Sequence, residues 1–122
     1  VSYDIRFAVK VAGAADDVYA VIGEPERSSP TYNLGTMFRR CMDWDFKQSE
    51  WYPLQDVIPK VERGLHELRF NPAKYRQYEP DNGWGTIGSA IEALQSILTW
   101  CADEWRRGWN GDIPLDCIYM AW

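Results

Sequence analysis

Histidine, paired cysteine, excess positive charge and long apolar runs are all scarce in this 122-residue sequence, and each scarcity excludes something. With one histidine, His66, and no C-x-x-C pair among Cys41, Cys101 and Cys117, the usual zinc sites lack their donors. Three cysteines cannot all pair within one chain. Each sits among apolar residues, so they read as small core side chains in a reducing compartment. Lys and Arg number 13 against 18 Asp and Glu, a net charge of −5 with no strongly basic half. That argues against broad binding along a phosphate backbone and permits a basic protein partner. No apolar run approaches the roughly 20 residues of a spanning helix, and nothing resembles a signal peptide, so no membrane association and a cytoplasmic location are expected.

Aromatic residues are abundant instead. Seven Trp and seven Tyr exceed what a core of this length requires, and every indole N–H needs a partner. Some rings are therefore expected at a surface, where aromatics anchor interfaces.

The stretch 2–11 alternates, with Tyr3, Ile5, Phe7, Val9 and Val11 on one side, as in a half-buried strand. Residues 18–22 read as a second strand, and the short link makes the two a hairpin. Thr31 or Asn33 can cap a helix carrying Leu34, Met37, Phe38, Cys41 and Met42, although Gly35 weakens it. The acidic, aromatic stretch 43–53 has no period and reads as a loop. Leu54, Val57, Ile58, Val61, Leu65 and Leu68 form the stripe of a helix. With Asp56 as its N-cap, Pro59 falls in the first turn, and Gly64 permits close approach by a neighbour.

Segment 71–85, punctuated by Pro72, Pro80 and Asn82-Gly83, is a polar hinge. Thr86 then caps a helix running to about Arg107, with Ile87, Ile91, Leu94, Leu98, Cys101 and Trp105 as its buried stripe and Glu92, Ser96, Thr99 and Asp103 facing away. Ala93, Ile97 and Trp100 lie on a second flank, which serves either packing within the chain or a partner or self-association surface. Residues 115–122 alternate with both faces largely apolar, a strand that pairs with the first hairpin. The expected architecture is one α+β domain spanning 1–122: a small antiparallel sheet, made of the N-terminal hairpin plus the C-terminal strand, packed against about three helices.

Catalytic signatures are weak. His66 lies one turn from Glu62, an arrangement that reads as an exposed helical pair without a nucleophile or oxyanion donor. The run 79–83 lacks the ligand spacing of a calcium loop, and 83–88 lacks the lysine of a phosphate loop. Asp43 with Asp45 or Glu50 could form a glycosidase-like pair, but acidic clusters are usually solvated surface. No enzymatic activity, catalytic residue, metal or cofactor is assigned. What remains is recognition. Asp43, Trp44, Asp45, Glu50, Trp51 and Tyr52 mix rings with carboxylates, and Tyr75, Tyr78, Glu79, Asp81 and Trp84 do so again. Together with Trp100 they are candidates for binding a protein with a basic surface, the competing role being packing with a charged rim.

The segments Ser2-Tyr-Asp-Ile5, Thr31-Tyr-Asn33 followed by Phe38, and Asn82-Gly-Trp-Gly-Thr86 followed by Ala90 and Leu94 resemble, in order, those of small uncharacterised bacteriophage and prophage proteins. The resemblance carries no catalytic residues. It implies a bacterial host cell and raises the expectation of a small acidic inhibitor of host machinery, anti-CRISPR and other anti-defence proteins included. Two alternatives stand beside it. One is a small-ligand or nucleotide-binding domain whose hinge rings stack a base while Lys74 and Arg76 hold phosphate, and the other is a self-assembling structural phage protein.

Overall fold

The alternation that begins at Tyr3 puts one row of side chains into a core, and the sheet is assembled around it. A computed structural model describes residues 2–11, 13, 18–104 and 113–122. Strand β1 (Arg6–Lys10) pairs antiparallel with β2 (Tyr19–Gly23) on one side and with the C-terminal strand, Ile118–Ala121, on the other. That last strand, β4, also pairs with a two-residue β3 (Tyr52–Pro53), so the order is β2-β1-β4-β3. Before β1 the chain stays extended, the N–H groups of Tyr3 and Ile5 donating to the carbonyls of Pro30 and Ser28 at 2.8 and 2.7 Å. Tyr3, Ile5 and Phe7 are buried as their period requires. Val11, at the end of the same row, is 41 % exposed.

The helices are α1 (Gly35–Cys41), α2 (Leu54–Phe70), the single turn α3 (Pro72–Tyr75) and α4 (Ile87–Thr99). The fold is thus α+β, with β4 central and inserted between the N-terminal hairpin and β3. Leu54, Val57, Val61, Leu65 and Leu68 of α2 join Ile5 and the sheet residues Phe7, Ile118 and Met120 in one core. At Gly64 a side chain would stand 2.7 Å from Met42 Cγ and 3.0 Å from Leu94 Cδ1, so the close approach expected there is present. On the other side of the sheet, Tyr19 stacks on Trp51 and meets Tyr119 edge-on, at 5.0 and 5.2 Å.

Local rules explain the boundaries, and two expectations need correction. Thr31 accepts from the N–H of Asn33 and opens a 3-10 turn, Tyr32–Leu34, that runs into α1. Thr86 accepts from the N–H of Ser89 at 3.0 Å and caps α4. Helix α2 begins at Leu54 rather than after Asp56, which places Pro59 in its second turn. The carbonyl that loses its bond there belongs to Gln55, and both residues are exposed, so water can replace the missing donor. In α4 the buried side is centred on Ala90, Ala93, Leu94 and Ile97, while Ile91, Leu98 and Cys101 are only half-buried. Helix α2 packs against α4, and Ala93, Ile97 and Trp100 belong to the same buried cluster as Leu94, so the flank expected to be secondary is core. Ser96 is buried as well, donating to the carbonyl of Ala93 and accepting from the N–H of Arg27. Helix α4 passes into a π-helical turn, Trp100–Glu104. Trp105 and the helix end expected near Arg107 lie outside the described residues.

Candidate functional site

The 43–52 segment is built by the end of α1. Asp43, at φ 49°, donates its N–H to the Arg40 carbonyl at 3.2 Å, and Trp44 donates to the Arg39 carbonyl at 3.0 Å. This is a Schellman closure with aspartate in the left-handed position that glycine usually fills. A carboxylate at a helix C-terminus also opposes the helix dipole. Asp43→Gly is therefore expected to stabilise the protein by about 0.5–1 kcal/mol, seen as a rise of a few degrees in melting temperature. An unchanged or lower value would count against this account of the turn.

The rings that follow turn toward the protein. Trp44 is half-buried and meets Tyr52 edge-on at 4.8 Å, with the Lys60 ammonium 5.9 Å from its ring centre. The Tyr52 hydroxyl donates to Glu50 and accepts from the Lys47 N–H, both at 2.9 Å. Burial and the Glu50 carboxylate raise its pKa. Trp51 is half-buried against Tyr19, with the Arg6 guanidinium 5.2 Å from its ring centre. Asp43, Asp45 and Glu50 are exposed. The first cluster thus offers carboxylates, while much of each ring is spent on packing.

In the hinge, Tyr75 is buried and donates to Glu67 at 2.7 Å. This bond and one from Asn71 hold the Glu67 carboxyl below its ordinary pKa, while burial and Glu67 push Tyr75 up. Glu79 accepts from the N–H of Ile87 at 3.0 Å, adding a second cap to α4, and pairs with Arg76 at 3.9 Å. Both contacts tie Glu79 to the fold. Tyr78 is half-buried and Asp81 exposed. Trp84 is 67 % exposed and lies between Gly83 and Gly85, at φ 75° and 116°. Its backbone N–H donates to the Asn82 side-chain oxygen at 2.9 Å. Gly85 has a further constraint, because a Cβ there would sit 2.9 Å from Leu34.

Trp100 corrects the sequence reading of an interface flank. It is 5 % exposed and stacks on Phe7 at 3.9 Å, with planes 12° apart. Gly23 makes room for it, since a Cβ there would lie 2.8 Å from the indole nitrogen. It also lines a groove.

That groove, about 810 Å³, runs between β2 and α4 and is lined by Glu24, Glu26, Glu92 and Asp103. It shares Glu26, Arg27 and Glu92 with a neighbouring hollow of about 460 Å³ that ends on Trp84. Arg27 is paired with Glu92 at 3.5 Å, and Arg69 donates to Gln95 at 2.8 Å, so the two guanidiniums along this surface already have partners. The carboxylates come from positions 24 to 103 and carry no shared sequence motif. Their only advance signal is the acidic balance of the chain.

A second cleft, about 790 Å³, lies where α1, α2 and α3 meet. It brings together Trp44 and Tyr78, one from each sequence cluster, with Arg40, Arg63 and Lys74. Arg76, expected to act with Lys74, is not among the lining residues.

Little in either hollow suits nucleophilic or metal chemistry. Burial pushes the thiols of Cys41 and Cys101 up to about 12, away from the reactive thiolate. Cys117 is exposed rather than in the core, beside Asp116. His66 is exposed and contacts Phe70, its ring centroid 4.8 Å away. Among the described residues no three His, Cys, Asp or Glu side chains are placed to hold a metal ion, and no helix is long and apolar enough to cross a membrane. Comparison of the chain with protein-family models, curated proteins and solved structures gives no match.

Proposed function

We propose that this protein is a non-enzymatic binding protein that inhibits a partner by occupying its basic surface, using the acidic groove along α4 with Trp84 as anchor. The observation that carries this reading is the convergence of Glu24, Glu26 and Asp103, with Glu92 beside them in its pair with Arg27, on a surface that ends at a tryptophan 67 % exposed. Carboxylates steer a cationic partner and fix its register, while a large ring supplies desolvated contact area. A net charge of −5 adds long-range attraction for such a partner. Inhibition of host machinery in the manner of phage anti-defence proteins, anti-CRISPR proteins among them, is the setting in which a small acidic occluder of this kind would act.

The test compares tagged wild-type protein with Trp84→Ala and with Glu26→Lys/Glu92→Lys in capture from bacterial lysate, the retained protein then being purified for titration. Wild type is expected to hold a basic protein at low salt and release it as salt rises. Trp84→Ala should weaken the purified complex by about 30-fold or more, on the scale of an interface anchor. Capture that is equal in all three proteins, or no retained macromolecule at all, would sink the proposal.

A further inference from the structure

The cleft between α1, α2 and α3 differs in charge from the rest of the molecule. In a chain of net charge −5 it gathers Arg40, Arg63 and Lys74 beside two half-exposed rings, Trp44 and Tyr78. Arg40 and Arg63 make no ion pair among the described residues. Lys74 reaches Glu67 at 3.6 Å but keeps 65 % of its side chain exposed. Arg39 contributes less, because its guanidinium already donates to the Phe46 carbonyl and the Tyr3 hydroxyl and lies over the Phe46 ring. Two carboxylates share the cleft. Asp45 is nearest Arg39, at 3.7 Å, and Asp43 is fixed by the turn that closes α1. The cations thus outnumber the acids, and Arg40 and Arg63 hold no ion pair among the described residues, Glu67 acting on Arg63 only through space.

We propose that this cleft binds a nucleoside phosphate, with Arg40, Arg63 and Lys74 holding the phosphate and Trp44 and Tyr78 contacting the base. Guanidiniums present paired N–H donors that match phosphate oxygens, and they lose less hydration than an ammonium on doing so. A flat base gains from any aromatic ring without needing a sequence-specific edge contact. The cleft volume of about 790 Å³ suits a ligand of this size. The same electrostatics argue against a long polyanion. A small ligand feels the local cations within about 8 Å, whereas a nucleic acid strand would also meet the acidic remainder of the surface.

Calorimetric titration and thermal melting with AMP, GMP, UMP, adenosine, inorganic phosphate and a single-stranded oligonucleotide test this. At least one nucleotide is expected to bind and raise the melting temperature, with adenosine and phosphate far weaker at equal concentration. Arg63→Ala and Arg40→Ala remove exposed side chains and should melt like wild type without ligand, yet each should weaken nucleotide binding about tenfold or more. Trp84→Ala, in the separate groove, should leave nucleotide binding unchanged. No response to any nucleotide, an equal response to phosphate alone, tighter binding of the oligonucleotide, or full affinity in the double arginine variant would each overturn the proposal.

Discussion

Trp122→Ala is expected to cost about 3–5 kcal/mol of unfolding free energy, a large part of what a domain of this size possesses. The ring is 1 % exposed and stacks on Phe46 with centroids 4.4 Å apart. Phe38, Tyr3 and Trp44 surround it at 5.4, 6.2 and 6.3 Å. Alanine would leave a cavity lined by rigid rings that cannot collapse into it. Trp122 also carries a cost of its own, because its indole N–H has no acceptor among the described residues. Trp122→Phe removes that orphan donor along with part of the volume, so its loss should be clearly smaller, about 1–2 kcal/mol. Urea unfolding followed by far-ultraviolet circular dichroism measures both. An alanine variant within about 1 kcal/mol of wild type would show that this cluster is not the centre of the core.

Trp100→Ala is the second large effect, again about 3–5 kcal/mol, and it separates two roles for one residue. As a core side chain, Trp100 fills the space between Phe7 and Gly23, and its loss should appear in stability. As an interface residue it would leave stability near wild type and remove binding instead. Trp100→Phe keeps a ring over Phe7 and should retain most of the stability, leaving a folded variant in which partner binding can be measured. Wild-type stability in the alanine variant would restore Trp100 to the interface. Gly23 adds a structural reason for the core assignment. Between Phe7 and Ala8 the β1–β2 register shifts, Phe7 standing opposite Gly23 and Ala8 opposite Val21. The bulge sets the one residue without a side chain under the indole.

The two candidate sites differ in how far the sequence exposes them. Trp84 was identifiable because the glycines on either side govern its backbone locally. The hinge rings were visible too, but their division was not. Tyr75 went to the core and Tyr78 to a cleft wall, although both read alike in an aromatic, polar segment. Glu79 looked like a recognition carboxylate and serves as a cap, because the chain reverses and brings the start of α4 within 3.0 Å of it.

By itself the sequence determined the local grammar of this protein. The alternation at Tyr3, Ile5 and Phe7, the cap at Thr86, the stripe of α2 and the close approach at Gly64 all depend on residue type at short spacing, and the α+β class follows from them. Tertiary structure alone decided which rings are buried, which side of α4 is core, and where charges meet. A two-residue β3 has no period to detect, and Trp44 reaches the same cleft as Tyr78 only because α1 and α3 both pack on α2. Burial and electrostatic convergence are sums over neighbours remote in sequence, so no local pattern encodes them.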